Sequence, residues 1–304
     1  MTELKELVES KLENLAKIKK LGMNPYPYKY ETTANSVELH EKFGTLKAGE
    51  ETVFNARISG RIKIIRSFGK LAFMDLQDPQ GKMQVSIKEN FSDEKTLELL
   101  PLLDAGDIIG AEGIIVKTKK GELTLQAKNI ALLCKSILPL PSKWHGLQDV
   151  ETRYRQRYLD LIMNPEVKKV FETRTKIINA MREFLNNKGF IEVEIPVLQP
   201  VYGGANAKPF KSDSNALKQD LYLSISPELY LKRLIVGGFD KVYYIGKNFR
   251  NEDIDKTHNP EFTTMECYAA NWDYNDMMKL TEDLYNFTAQ KTLDTNTIEY
   301  QGKK

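Results

Sequence analysis

The chain has 304 residues, 28% of them charged and 41% hydrophobic, with a formal net charge of +2. That length predicts two domains in an ordinary globular protein, and the charge is too small to mark a general nucleic-acid binder, so any such contact must come from local patches. Two cysteines, Cys134 and Cys267, lie far apart without metal-ligand spacing, which argues against a disulfide scaffold or zinc site and for a reducing compartment. No apolar run approaches membrane-span length and the N-terminus reads as a charged helix, so no membrane partner and a cytoplasmic location are expected.

Residues 2–20 place Leu4, Leu7, Leu12, Leu15 and Ile18 near helical spacing, with Lys and Glu on the other face. Packing on its own domain is the favoured reading. A basic surface of Lys5, Lys11, Lys17, Lys19 and Lys20 facing RNA is the alternative, and the interleaved glutamates weigh against it. The pattern stops at Leu21-Gly22, and MNPYPYKY is an extended connector, giving residues 1–28 as helix plus connector.

Short strand patterns occupy about 53–135: TVFNARISGRIKIIRS, KLAFMDLQD, KMQVSIKE, DIIGAEGIIVKTK and ELTLQAKNIALLC. SFGK, DPQGK and KKGE are turn signals, and residues 92–104 are a helical insert after the third strand. Five strands with a helix after the third is the order of an OB-fold, a small barrel that binds oligonucleotides. It is assigned to residues 29–138.

ILPLPSKWHGLQD marks a boundary, with a linker over 139–150 that holds Trp144 and His145. His145 has no acid or metal partner in its neighbourhood and reads as a structural hydrogen-bonder. ETRYRQRYLDLI then gathers Arg153, Arg155 and Arg157 at the start of a second domain, 151–304. A helix is predicted over 165–188, with Pro165 in its first turn, Gly189 as its stop and a stripe of Val167, Val170, Phe171, Arg174, Ile178, Met181 and Leu185. GFIEVEIPVLQP follows as a strand ending at Pro196. VYGGANAKPF is a Gly-Gly loop whose backbone can approach a ligand closely, and SISPELYLKRLIVGG is a strand end followed by a helix with Glu228 in its first turn. An acid there commonly serves the helix N-terminus.

KVYYIGKN and PEFTTMECYAA flank the polar cluster DIDKTHNP and predict an antiparallel hairpin with a long charged tip. Strand alternation puts Arg250 and Glu252 on one face, and Phe262, Thr264, Glu266 and Tyr268 on one face of the return strand. A polar sheet face is usually just solvated. The groups present nevertheless suit a nucleotide meeting an amino acid: an Arg fork for phosphate or carboxylate, a ring for stacking, and carboxylates for amine and ammonium donors.

FRNE followed by THNPEFTTMECY closely resembles the second signature motif of class II aminoacyl-tRNA synthetases, in its lysyl-tRNA synthetase form. The resemblance covers essentially the whole chain. It implies an α+β protein: an N-terminal OB-fold barrel, then an incomplete class II antiparallel sheet with flanking helices. It implies that lysine and ATP form lysyl-adenylate and that the lysyl group passes to tRNA(Lys), with Mg2+ as the accompanying metal. Arg250, Glu252 and His258 are then the catalytic residues. Arg250 holds the α-phosphate and the amino-acid carboxylate, Glu252 accepts from the adenine amine, His258 and Asn259 contact the phosphates, and Phe262 stacks on adenine. Gly204 and Glu228 take the α-ammonium, while Glu266 and Tyr268 line the lysine pocket, Tyr268 at the ε-ammonium.

GKLAF and GKMQV align with the base-contacting strands of the anticodon domain of lysyl and aspartyl enzymes. That implies Phe73, Gln84 and Glu122 as base readers, with Arg61 and Arg66 on phosphates. The 165–196 helix–strand unit resembles the first motif and implies a homodimer, despite Ile195 where the family usually has Thr. The Arg153–Arg157 run also matches, as a tRNA-backbone or dimer contact. The third motif, the magnesium ligands and a second acceptor for the lysine ammonium are expected beyond residue 304, so no metal ligand is assigned here, and the chain is expected to be a fragment inactive in adenylation by itself. An aspartyl or asparaginyl enzyme would need a cation where Glu266 and Tyr268 stand. A non-catalytic RNA-binding and dimerisation protein has no need of Arg250 or Glu252.

Overall fold

A computed structural model describes residues 2–141, 147–300 and 302–303. Trp144 and His145 of the expected linker lie outside the described residues. The chain divides into two compact units, Met1–Met163 and Asn164–Lys304.

The first unit opens with α1 (Thr2–Lys20) and α2 (Ser36–Phe43), the latter started by a reciprocal Asn35–Glu38 capping box. Strands β1 (Glu51–Phe68), β2 (Leu71–Gln77), β3 (Lys82–Lys88), β4 (Ile108–Lys117) and β5 (Leu123–Cys134) close into a barrel of order β1-β2-β3-β5-β4. Period-two alternation sends Ile58, Met74, Val85, Ile109 and Leu125 inward to one apolar core. Helix α3 (Glu94–Leu99), N-capped by Asp93, sits between β3 and β4 in sequence, where the insert was expected.

The first helix departs from its predicted stripe. Ile18 joins the barrel core and Leu15 is half-buried, but Leu4, Leu7 and Leu12 are 52%, 48% and 46% exposed, and Lys11 is buried. The Lys11 ammonium donates to the carbonyls of Ala105 and Ser136, both at 3.2 Å. Lys11 therefore belongs to the packed face, because its alkyl stem covers apolar surface while its head meets chain-end carbonyls. Beside it, the fully buried Lys135 donates to Asp104, to Asp107 at 2.7 Å and to the Leu102 carbonyl at 2.9 Å.

Helices α4 (Val150–Arg155) and α5 (Arg157–Met163) belong to this unit, and Lys63 of β1 donates to the Ile162 carbonyl at 3.0 Å. Arg153 and Arg157 both pair with the buried Asp160, and Arg155 pairs with Glu151, so each of the three arginines has an internal acid.

The second unit begins with a 3-10 turn, Pro165–Val167, running into α6 (Lys168–Asn187). The predicted long strand after it is only β6 (Ile191–Glu192); the chain then leaves the sheet before Pro196. Further elements are β7 (Leu198–Gln199), β8 (Lys211–Ser214), β9 (Gln219–Leu223), α7 (Glu228–Val236), β10 (Lys241–Phe249), β11 (Glu261–Ala269) and α8 (Tyr274–Leu293). Two three-stranded sheets result, β11-β10-β6 and β7-β9-β8. β10 and β11 are antiparallel, whereas β6 joins β10 in parallel. The core of this unit packs Phe184 and Leu185 of α6 and Leu280 and Leu284 of α8 around Phe190 and Tyr243.

Candidate active site

The hairpin predicted from KVYYIGKN and PEFTTMECYAA is β10–β11, in the register Val242↔Tyr268, Tyr244↔Glu266, Gly246↔Thr264 and Asn248↔Phe262. Strand pleating divides its side chains. Tyr243, Ile245, Met265, Cys267 and Ala269 join the core under α6 and α8, so the alternate residues Phe262, Thr264, Glu266 and Tyr268 share the opposite face. Burial pushes the Cys267 thiol up to about 11, which suits a packing residue rather than a nucleophile.

Arg250 and Glu252 lie beyond the end of β10, so strand alternation does not place them; this corrects the sequence reading. Arg250 extends the ladder by one rung, its N–H donating to the Pro260 carbonyl at 2.9 Å. Its guanidinium then lies 5.0 Å from the Phe262 ring centroid, and its buried Nε has no hydrogen-bond partner. Glu252 is held by the segment after the Gly-Gly loop. Asn251 N–H donates to the Lys208 carbonyl at 2.7 Å, and Lys208 N–H donates to Glu252 Oε1 at 3.2 Å.

The tip is shaped by Asp255, which accepts from Thr257 N–H at 2.6 Å, His258 N–H at 2.8 Å and the Thr257 hydroxyl at 2.9 Å. Its other oxygen lies 2.7 Å from His258 Nδ1. Those hydrogen bonds, the Thr257 N–H first, hold the Asp255 carboxyl well below the usual carboxylate range. His258 and Asn259 are both exposed on this tip.

The remaining candidates converge next to the side of β11 turned away from the core. Glu266 Oε1 accepts from the Ser226 hydroxyl at 3.1 Å and its Oε2 from the Tyr268 hydroxyl at 3.3 Å. Burial raises the Glu266 carboxyl above its ordinary value, and the two hydroxyls only partly offset that. Burial, then the charges of Glu266 and Glu228, push the Tyr268 phenol far up, so it stays a neutral donor. Glu228 opens α7 and holds the Lys232 ammonium at 2.6 Å. Gly204 has φ +84°, and a Cβ there would fall 2.8 Å from Glu228 Cβ and 2.9 Å from Ser226 Oγ. Only glycine allows this loop both that conformation and that approach.

On the barrel, Gln84, Glu122 and Arg66 line one outer cavity of about 640 Å³, with Asp75, Lys82 and Lys120. Phe73 shares that outer face, opposite Arg66 and two residues along β2 from Asp75. Arg66 pairs with Asp75 at 2.7 Å, and Gln84 accepts from the Thr124 hydroxyl at 2.9 Å. Arg61 stands apart: it pairs with Gln77 and Ile108 farther along β1, and its guanidinium donates to the Gly106 carbonyl at 2.7 Å.

Residues 149–302, half of the chain and including the whole hairpin, match the family of tRNA synthetases class II (D, K and N). The chain belongs to that family. Its barrel separately matches the OB-fold nucleic acid binding domain over residues 56–133. Curated relatives of this class II synthetase chain include a lysine--tRNA ligase of Carboxydothermus hydrogenoformans, 50% identical over 300 residues that are 99% of this chain and 60% of that protein. A lysine--tRNA ligase of Nostoc punctiforme is 49% identical over 302 residues, 97% of this chain and 54% of the relative. One of Clostridium botulinum is 49% identical over 298 residues, 98% and 58% respectively. The chain thus spans little more than half the length of these relatives.

Three buried polar residues of the synthetase chain escaped the sequence reading: Ser224, Ser226 and Asn248. Asn248 donates to Thr264 Oγ1 at 2.6 Å and accepts from Ser224 Oγ at 3.1 Å. A serine on each side of Ile225 just before a proline was the available signal, but serines in such a stretch ordinarily mean a turn.

Proposed function

We propose that this chain is part of a lysine--tRNA ligase, comprising the anticodon-reading barrel over 29–138 and, from 151 onward, the first two signature motifs of the catalytic domain. The reaction is ATP-dependent activation of lysine to lysyl-adenylate, followed by transfer to tRNA(Lys) in the cytoplasm. The observation that carries the reading is Arg250, whose guanidinium stacks on Phe262 while its buried Nε has no partner. A desolvated, unsatisfied donor is costly unless a ligand completes it. A phosphate or carboxylate does so, and the adenine ring takes the place beside Phe262.

Arg250 binds the lysine carboxylate before the step and then withdraws charge from the α-phosphate as that carboxylate attacks in line, the bond from the α- to the β-phosphate breaks and pyrophosphate leaves. Glu252 accepts from the adenine amine, and His258 and Asn259 meet the outer phosphates from the tip. The substrate ammonium groups are met by Glu228, the Gly204 carbonyl, Glu266 and Tyr268. The Lys232 ammonium already held by Glu228 supports an acceptor of that kind. Magnesium, implied beside ATP, supplies positive charge to the phosphates. Among the described residues no group of three or more His, Cys, Asp or Glu is fit to hold it, so no step is routed through it.

The barrel cavity with Gln84, Glu122 and Arg66, and Phe73 beside it, suits an unpaired base. Arg61, turned to Gly106, is the least suited of the five tRNA candidates. For the homodimer, the first half of α6 leaves Val170 and Phe171 68% and 44% exposed, an apolar surface that a second copy would cover.

The deciding experiment is calorimetric titration of the protein with lysine, aspartate and asparagine in the presence of ATP. Lysine alone should bind. Binding of aspartate or asparagine, or of none of the three, refutes the reading. Arg250→Ala should weaken ATP by about ten- to a hundredfold, as expected for a lost charge-assisted donor pair.

A further inference from the structure

Ser226 lies in the turn between β9 and α7 and is almost fully buried. Its hydroxyl has one proton to give and lone pairs to receive with. The proton goes to Glu266 Oε1 at 3.1 Å, and the oxygen accepts Glu228 N–H at 3.2 Å. The Gly204 backbone lies against the same atom, since a Cβ on Gly204 would come within 2.9 Å of it. One oxygen therefore adjoins the three elements that carry Glu266, Glu228 and Gly204.

The turn is fixed from behind. The Ser224 hydroxyl lies 3.2 Å from the Ser226 carbonyl and 3.1 Å from Asn248 Oδ1, and the Asn248 amide donates to Thr264 at 2.6 Å. The Ser224 carbonyl accepts Phe249 N–H at 2.8 Å. The turn is thus tied to β11 at Thr264 and again at Glu266, two successive residues of the side turned away from the core. The single Ser224 proton serves one or other of its two acceptors, and a network of buried hydrogen bonds of this kind restrains the turn.

We propose that Ser226 is the positioning residue of the ammonium site, orienting the Glu266 carboxylate through its hydroxyl and fixing the start of α7, which carries Glu228, through the Glu228 N–H. The inference rests on the reading of these groups as lysine acceptors. The Glu266 carboxylate must be held in place before the substrate ammonium arrives, and a neutral hydroxyl does this without competing for the cation, while Glu228 keeps the Lys232 ammonium. Fixing the acceptors in advance spares the substrate that ordering cost. The Ser226 hydroxyl bonds to Glu266 and to the Glu228 N–H and makes no hydrogen bond to Arg250, so its effect falls chiefly on lysine.

The test is titration of lysine and of ATP, separately, into the wild-type protein and Ser226→Ala. Lysine should bind about ten- to a hundredfold more weakly to the variant, the range for a lost hydrogen bond to a charged group, with ATP unchanged within about threefold. Equal lysine affinity in the two proteins overturns this proposal alone, and parallel loss of lysine and ATP overturns it by showing a general scaffold role. A wild-type protein that binds no lysine removes the proposed function and this inference together. Should Ser226→Ala not fold, Ser226→Cys keeps the shape, replaces the hydroxyl with a weak S–H donor, and must show the same one-sided loss.

Discussion

Replacing Lys135 with alanine should lower the unfolding temperature of the barrel unit by about 6–20 °C at neutral pH, from a cost of about 3–5 kcal/mol and about 2–4 °C per kcal/mol for a unit of this size. The magnitude follows from what remains. Lys135 and Asp107 both have side chains with 0% exposure, and the ammonium is shared among Asp107, Asp104 and the Leu102 carbonyl. Without it, Asp107 keeps the Ser136 and Asp104 N–H donors, each at 2.8 Å, but loses its directly paired cation and keeps only the charge of the nearby Lys11. A buried carboxylate stripped of its cation is the expensive outcome, whereas removing charge from both partners is often nearly neutral. Asp104 is 27% exposed, so Asp104→Asn should cost clearly less. Thermal unfolding followed by circular dichroism decides it. A shift below about 3 °C for Lys135→Ala would refute the claim that this cluster fastens the end of the barrel.

Glu266→Gln should be more stable than wild type at pH 7 and nearly equal to it near pH 4, read as melting temperatures at the two values. Burial raises the folded-state carboxyl above its unfolded value, so the native state keeps its proton longer; stability therefore falls as pH rises through that window and stays lower above it. Gly204→Ala combines a positive φ with contacts under 3.0 Å, so it should abolish lysine binding measured by calorimetry while sparing most of the ATP affinity. Gly113→Ala would set a Cβ 2.0 Å from the Gln126 carbonyl oxygen, a main-chain clash no rotamer relieves. Its melting temperature should fall further than that of Gly110→Ala, which meets the movable Tyr30 ring.

What was readable in the sequence followed what is local. The barrel strands are short β-branched and apolar runs bounded by glycine turns, with β2 and the middle of β1 alternating, so their number and sequence order can be read from composition and spacing. The aromatic and β-branched runs around DIDKTHNP likewise gave the hairpin. Arg250 and Glu252 read as strand because alternation looks the same on both sides of a strand's end; β10 ends at Phe249, with one further bond from Arg250 N–H to the Pro260 carbonyl. α8 went unread although Met277, Leu280, Leu284 and Phe287 keep helical spacing behind the Asp273–Asp276 capping box. Lys11 was counted with the solvated lysines because nothing near it in the sequence shows the carbonyls of Ala105 and Ser136, which come from chain some ninety or more residues away. Ser224, Ser226 and Asn248 belong to the same class: their meaning is a long-range pairing.

The division of β10 and β11 into a core side and an opposite side carrying Glu266 constrains how this protein can change length. Adding or removing one residue within either strand would exchange the sides from that point on, turning Glu266 toward Leu280 and Leu284 and Met265 toward the opposite side. Changes of two would restore the sides but carry Phe262 a full step past Asn248 and away from Arg250. Drift in length is thus confined to the tip between Arg250 and Pro260, where Asp255 folds the chain on itself and no side of a sheet is at stake.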